Sequence, residues 1–209
     1  MAFTNLAPIG RMMNNLIFTD IDGVVLSWDT HFHEYMQSHG HKKAHDEPSY
    51  WQETYYPGLS ETEARKMVYH FNTSAWMLGC PPYKDARSGI ARLVENGYRF
   101  IGVTAMGTDQ FSLEARKINL NRLFGHDAFQ DVIATDMYDP NSKRSFLSKY
   151  KDNGYFWIED KPSNAELGSE LGFDTLLMEH GYNENYVPKN KMRGVKSWAD
   201  ICDIILGSD

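Results

Sequence analysis

Short apolar runs alternate with amphipathic segments along most of the chain. Five runs have the length and composition of buried strands, at residues 16–18, 100–103, 132–134, 155–158 and 175–178. Between and after them, apolar residues recur at helical spacing, and helices are predicted at residues 86–94, 111–123, 142–150, from 163 onward and at 198–206. Strands that alternate with helices in this way indicate an α/β fold built on a parallel sheet flanked by helices.

Local sequence signals refine these helices. Four apolar residues are expected on the buried side of the helix at 111–123: Leu113, Ile118, Leu120 and Leu123. Ser60 with Glu63, and Ser163 with Glu166, have the spacing of capping boxes, in which a hydroxyl and a carboxylate satisfy the first free N–H groups of a helix. Each pair therefore predicts a helix start.

A long insertion separates the first strand from the helix at residue 86. Residues 26–80 are mostly non-strand in pattern, and helices are predicted there at residues 31–38 and 60–77. We therefore divide the chain into an α/β core, residues 1–25 and 81–209, and a small helical insertion, residues 26–80.

Polar residues follow three of the predicted strands where each strand ends. Asp20, Asp22 and Gly23 follow the first strand, Thr104 ends the second, and Glu159-Asp160 follows the fourth. Open α/β sheets bind ligands in the crevice at the carboxyl ends of their strands. Three polar strand ends therefore predict one shared site.

These residues resemble the motifs of the haloacid dehalogenase superfamily, in its phosphatase branch. The match consists of Asp20-Ile21-Asp22-Gly23, Thr104, a basic residue and Glu159-Asp160, and it runs from about residue 15 to the last helix. The resemblance implies a Rossmann-like core, a helical cap formed by the insertion, and phosphoryl transfer. Dehalogenases of this superfamily lack an acid equivalent to Asp22, so its presence favours phosphoryl transfer.

The residue types fit that chemistry. A carboxylate can attack phosphorus and form an acyl phosphate, and Asp20 is the candidate nucleophile. Asp22 would protonate the leaving oxygen and later deprotonate a water molecule. Carboxylates that face a phosphate need a cation, and oxygen ligands suit Mg²⁺. The resemblance implies that Asp20, Asp160 and the Asp22 carbonyl hold this metal, while Glu159 binds it through water or orients its neighbours.

The remaining site candidates bind the phosphoryl group. Gly23 allows a turn that brings backbone N–H groups close to a ligand. Thr104 and the backbone N–H of Ala105 would hydrogen-bond a phosphoryl oxygen, and a lysine would offset its negative charge. We favour Lys143 over Lys151 for this role, although Lys151 lies closer to Asp160 in the sequence.

Substrate choice is expected to depend on the insertion, where aromatic residues are abundant: Trp28, Phe32, Tyr35, Tyr50, Trp51, Tyr55, Tyr56, Tyr69, Phe71 and Trp76. They either build the core of a small helical module or stack on a flat group. The segment 20–33, the helical insertion and Gly181-Tyr182-Asn183 resemble pyrimidine and deoxyribonucleotide 5′-nucleotidases of the superfamily. A nucleoside monophosphate is therefore the first expected substrate, and a small sugar phosphate is the alternative. A phosphomutase and a non-catalytic binding protein are the other functions considered.

Histidines are also concentrated in the insertion: His31, His33, His39, His41, His45 and His70. They could hold a zinc ion, but no cysteine accompanies them, and a polar surface loop is the favoured interpretation.

Composition indicates which partners and which cellular compartment are expected for the protein. The 209 residues carry a net charge of −7, which argues against nucleic acid as a bulk electrostatic partner. Two widely separated cysteines, no apolar signal segment in residues 1–15 and no run of membrane-spanning length favour a cytoplasmic protein with reduced thiols. The oligomeric state is left open.

Overall fold

The core of the described part of the chain is a six-stranded parallel sheet. The computed structural model describes residues 15–49, 54–139, 141–189 and 192–207. The strands follow the order β3-β2-β1-β4-β5-β6, and every neighbouring pair is parallel. Their bounds are β1 (Leu16–Thr19), β2 (Arg99–Thr104), β3 (Phe129–Ala134), β4 (Phe156–Glu159), β5 (Asp174–Met178) and β6 (Arg193–Val195).

Seven α-helices accompany the sheet in the described part of the chain. They are α1 (Trp28–Ser38), α2 (Glu61–Asn72), α3 (Ala86–Glu95), α4 (Gln110–Phe124), α5 (Ser142–Leu147), α6 (Pro162–Glu170) and α7 (Trp198–Leu206). Two 3₁₀ turns, Ala75–Gly79 and Ser148–Tyr150, follow α2 and α5. None of the described helices is both long and apolar enough to cross a membrane. The predicted α/β fold is confirmed.

The central strand β1 is buried on both faces. Ile17 packs in the cluster that contains α3 and α7, whereas its neighbour Phe18 packs in a second cluster with Trp157 and Phe173. Successive side chains of a strand point to opposite faces, so two apolar neighbours require a covered sheet on both sides. This packing fixes the strand end where Asp20 begins the site.

The five predicted strands are all present, but β6 was missed. Arg193-Gly194-Val195 is only three residues long, and only Val195 is buried, so it lacks both the alternation and the apolar run that indicate a strand. The helix predicted at residues 60–77 ends at Asn72, where the 3₁₀ turn takes over. Its capping box, formed by Ser60 and Glu63, is confirmed.

Two predictions about helices were wrong. Ile118 is 57% exposed, because α4 buries a largely polar side instead: Ser112, Ala115, Arg116, Asn119 and Leu120. Ser163 does not cap α6, which begins with Pro162 after Lys161. The Glu166 carboxylate accepts hydrogen bonds from Tyr186 Oη at 2.7 Å and Lys189 Nζ at 2.9 Å.

The insertion leaves and rejoins the core through two paired segments. The Ser27 N–H donates to the Pro81 carbonyl at 2.9 Å, and the Tyr83 N–H donates to the Val25 carbonyl at 2.8 Å. This neck lies beside the proposed division at residues 26 and 80, although the division itself stays a prediction.

Candidate active site

The site lies at the carboxyl ends of β1, β2 and β4. These strands are neighbours in the sheet, and Asp20, Thr104 and Glu159-Asp160 stand where they end. The three strand ends therefore lie next to one another in the sheet, as the sequence predicts. The remaining phosphate-binding candidates lie in the adjoining loops: Gly23 takes a left-handed φ of +79° in the turn after β1, and Ala105 is exposed directly after β2.

Lys143 is a buried cation at the centre of the site. Its Nζ lies 2.7 Å from Asp20 Oδ2 and 2.7 Å from Glu159 Oε2. Burial alone lowers the pKa of Lys143, but the two carboxylates outweigh it and raise the pKa above its ordinary value. Lys151, the alternative lysine, is exposed. The geometry thus places Lys143, at the start of α5, against the candidate nucleophile.

Three buried carboxylates form a cluster beside this lysine. Asp20, Glu159 and Asp160 have carboxylate oxygens within 4.8 Å of one another, and no other such group of three acids, histidines or cysteines occurs among residues 15–49, 54–139, 141–189 and 192–207. Burial, together with the neighbouring acids, raises the pKa of Asp20 to about 7 and that of Asp160 to about 6. Such a cluster fits a metal site, since a cation would offset the charge that burial disfavours.

Glu159 has a second set of contacts that restrain it. Its Oε1 accepts hydrogen bonds from the backbone N–H groups of Asp160 at 3.2 Å and Lys161 at 3.1 Å, while its Oε2 faces Lys143. Both oxygens are therefore engaged by the protein. This favours the orienting role for Glu159 over metal binding.

Asp22 is held by a residue that the sequence analysis missed. Arg116, fully buried on α4, places Nη2 2.7 Å from Asp22 Oδ1 and 3.0 Å from Oδ2. Thr104 Oγ1 donates to Asp22 Oδ2 at 3.3 Å. Burial raises the pKa of Asp22, and the Arg116 guanidinium opposes that shift. The polar residues at positions 112, 116 and 119, which recur at helical spacing, were the available signal.

The loop after β5 closes the site from the other side. His180 Nε2 lies 2.8 Å from the Gly23 carbonyl, and Tyr182 Oη donates a hydrogen bond to Asp160 Oδ2. Asn183 Nδ2 donates to the Asp160 carbonyl at 2.7 Å. The rings of His180 and Tyr182 are stacked with centroids 4.8 Å apart. This loop, which contains the nucleotidase-like Gly181-Tyr182-Asn183, therefore joins the first acidic motif to the last.

A cavity of about 670 Å³ opens in front of these residues. Its inner wall contains Asp22, Gly23, Asp160, His180 and Tyr182, and its outer wall is formed by α1, the segment 41–49 and two tyrosines, Tyr55 and Tyr56. The volume exceeds what a phosphate ion needs and lies in the usual range for small-molecule sites. The insertion therefore supplies a wall of the candidate site.

Most of the described aromatic residues of the insertion pack against one another. Phe32, Tyr35 and Phe71 are buried in one cluster, and Trp28 stacks on Phe32 with ring centroids 4.9 Å apart. Of the aromatic candidates that the structure describes, Trp28, Tyr55 and Tyr56 line the cavity. Tyr50 and Trp51 lie outside the described residues.

The described histidines of the insertion have separate partners. His31 contacts Glu34 and the Trp76 carbonyl, His39 contacts the Tyr35 carbonyl, and His45 contacts the Thr54 carbonyl. Within the described residues they form no group of three ligand atoms. Zinc binding by these histidines is left without structural support.

A sequence relative identifies the family. Over 196 residues the chain is 32% identical to a protein of Enterobacteria phage T4 named as an uncharacterized 32.4 kDa protein in the Gp30-rIII intergenic region, and the match covers 90% of this chain and 69% of the phage protein. The chain belongs to the family of this phage protein. No protein-family model matches the chain.

Similar solved structures identify the fold of this chain. A haloacid dehalogenase-like hydrolase from Streptococcus pneumoniae superposes with a TM-score of 0.64 at 12% identity, over 90% of this chain and 97% of its own. CbbY from Rhodobacter sphaeroides, solved with phosphate, gives 0.58 at 16% identity over 90% and 96%. A heptose 1,7-bisphosphate phosphatase from B. bronchiseptica, solved with magnesium and phosphate, gives 0.57 at 14% over 93% and 99%. The fold is that of the haloacid dehalogenase superfamily.

Proposed function

We propose that this protein is a Mg²⁺-dependent phosphomonoesterase that forms an aspartyl-phosphate on Asp20. The observation that carries the proposal is the position of Asp20 at the end of β1, with Lys143 Nζ 2.7 Å from one oxygen and Asp160 close by. A carboxylate nucleophile divides hydrolysis into two easier steps. Lys143 offsets negative charge on Asp20 and on the incoming phosphoryl group.

The acidic cluster is suited to a magnesium ion. Asp20 and Asp160 offer carboxylate oxygens. The family resemblance adds the backbone carbonyl of Asp22, and together these make a set of hard oxygen donors. The bound ion would offset the charge of the carboxylates and of the phosphate. Glu159 would hold Lys143 and the backbone of the β4 loop in place.

Asp22 is the proposed acid and base. Its carboxyl group would give a proton to the leaving oxygen in the first step and take one from water in the second. Arg116 holds this carboxylate by a hydrogen bond, which fixes its position while it changes protonation. The Thr104 hydroxyl, which donates to Asp22 without substrate, is proposed to turn to a phosphoryl oxygen when substrate binds, and the N–H of Ala105 is proposed to contact the phosphoryl oxygens as well.

For the substrate, we place small sugar phosphates first. Some of the neighbours in fold are named as acting on, or were solved with, phosphorylated sugars, and most residues on the outer wall of the cavity are polar or charged. Nucleoside monophosphates are the second candidate. They are favoured by the size of the cavity, about 670 Å³, and by the rings of Trp28, Tyr55 and Tyr56 along it.

The first test is phosphate release from a panel of sugar phosphates and nucleoside monophosphates, with Mg²⁺ and with chelator. We expect chelator-sensitive release that Asp20→Asn lowers by roughly 10⁴-fold or more. Rapid acid quenching should trap a phosphorylated Asp20 peptide whose acyl phosphate hydroxylamine cleaves. With p-nitrophenyl phosphate, whose leaving group needs no proton, Asp22→Asn should make this intermediate accumulate. Full activity in Asp20→Asn would rule out the mechanism.

The same panel distinguishes hydrolysis from transfer. A mutase would pass the phosphoryl group from Asp20 to a sugar hydroxyl, so isomeric sugar phosphates would appear without free phosphate. We expect free phosphate to be the main product. A non-catalytic binding protein would give neither product.

A further inference from the structure

The outer wall of the cavity carries a polar stripe along α1. Asp29, His33 and Gln37 are four residues apart, so they share one side of the helix, and all three line the cavity. Eight residues of helix rise about 12 Å. The stripe therefore extends well beyond the space that a phosphoryl group at Asp20 would occupy.

His33 is the fixed member of this stripe. Its Nδ1 lies 2.7 Å from Tyr56 Oη, and its ring meets the edge of Tyr55 with centroids 4.8 Å apart. Burial lowers the pKa of His33 to about 4, so the imidazole is neutral near pH 7. With Nδ1 engaged, Nε2 is the nitrogen left to donate or accept one hydrogen bond, depending on the tautomer.

The charges on this wall do not favour a second phosphate. The wall contains three carboxylates and two lysines: Asp29, Glu34, Asp46, Lys42 and Lys43. Lys43 is engaged already, because its Nζ lies 3.0 Å from Asp46 Oδ1 and 4.7 Å above the ring of Tyr55. An anionic group would therefore meet three carboxylates and two lysines, whereas a neutral hydroxyl can bond to a neutral imidazole without a charge penalty.

We propose that this wall binds an uncharged, hydroxyl-bearing leaving group through His33, which Tyr56 holds in place, and that the enzyme takes monophosphates in preference to bisphosphates. The proposal rests on the phosphatase function proposed above. It specifies sugar-like monophosphates as the substrate class of the phosphatase and names His33 and Tyr56 as the residues of the insertion that select them.

The test measures binding separately from turnover. Asp20→Asn protein is titrated with glucose 6-phosphate and with glucose 1,6-bisphosphate, which differ only in the second phosphate, by calorimetry with Mg²⁺. We expect the monophosphate to bind more tightly and His33→Phe, which keeps a ring against Tyr55, to weaken its binding about tenfold, as the loss of one buried hydrogen bond predicts. His39→Phe is the matched control, because His39 is exposed directly after α1 and does not line the cavity, and it should leave both affinities unchanged.

Turnover by the otherwise native enzyme then separates the two proposals. His33→Phe should lower the ratio of kcat/KM for glucose 6-phosphate to kcat/KM for acetyl phosphate by about tenfold. Tighter binding of the bisphosphate, or equal losses for both compounds, would overturn the subsite proposal while leaving the phosphatase intact. Absence of turnover of either compound, with monophosphate binding that depends on His33, would overturn the phosphatase and retain the subsite.

Discussion

Gly23 is the position where a single methyl group should disturb the candidate site most directly. A Cβ built on Gly23 would overlap Asp160 Oδ2 and lie 3.0 Å from Asp160 Cγ, and the residue has a φ of +79°. The Asp160 carboxylate has little room to move, since it is buried and accepts a hydrogen bond from Tyr182. Gly23→Ala therefore combines backbone strain with a steric clash.

The two contributions can be estimated and separated. A left-handed φ costs an alanine about 1–2 kcal/mol, and overpacking a filled site costs about 1–3 kcal/mol more. We expect Gly23→Ala to lower the free energy of unfolding by about 2–5 kcal/mol. Gly40→Ala is the matched control, because Gly40 has a φ of +84° with nothing within 4 Å of its Cβ position. It should lose only about 1–2 kcal/mol.

The assay is urea unfolding of the metal-free protein, repeated in an Asp160→Ala background. Removing the carboxylate should reduce the cost of Gly23→Ala to that of Gly40→Ala, since only the backbone strain remains. Equal costs for the two alanines in the native background would show that Gly23 and Asp160 are not packed as described. If Gly23→Ala still costs more stability than Gly40→Ala in the Asp160→Ala background, the contact between Gly23 and Asp160 is contradicted as well.

Three further predictions concern charge and metal binding. Lys143→Met should cost about 3–5 kcal/mol of stability by leaving buried carboxylates unpaired. The control Lys151→Met, at an exposed lysine, should change stability by less than about 0.5 kcal/mol. Equal effects in urea unfolding would contradict the choice of Lys143 as the lysine of the site. Tyr182→Phe should weaken Mg²⁺ binding about tenfold in calorimetry by freeing the Asp160 carboxylate to rotate, and an unchanged affinity would remove that role. Metal-free protein should lose stability as pH rises from about 4 to about 7, because Asp20 and Asp160 have folded pKa values of about 7 and 6 against 3.8 unfolded. The stabilisation by Mg²⁺ should therefore increase as pH rises. A thermal unfolding temperature that does not change with pH would argue against the buried cluster.

The strands and the meeting of their ends could be predicted because both depend on local pattern. Ile17 and Phe18 are part of one apolar run, and a run that is buried on both faces of a parallel sheet needs no knowledge of its partners to be recognised. The polar residues that follow such strands then meet by topology alone. In contrast, Arg193-Gly194-Val195 becomes a strand only through pairing with β5, which no local signal indicates.

The partners of the acidic residues could not be predicted, because they depend on packing between distant segments. Arg116 contacts Asp22 across 94 positions of sequence, and His180 contacts Gly23 across 157. On α4 the apolar pattern suggested that Ile118 was buried, whereas the helix turns a polar side toward the site and leaves Ile118 exposed. A helix that packs against a polar site has no reason to show an apolar stripe there, since its buried groups are selected for hydrogen bonding and charge. The failure of the apolar pattern on α4 is therefore itself an indication that this helix takes part in the site, and polar residues at helical spacing on a buried helix are the signal to look for.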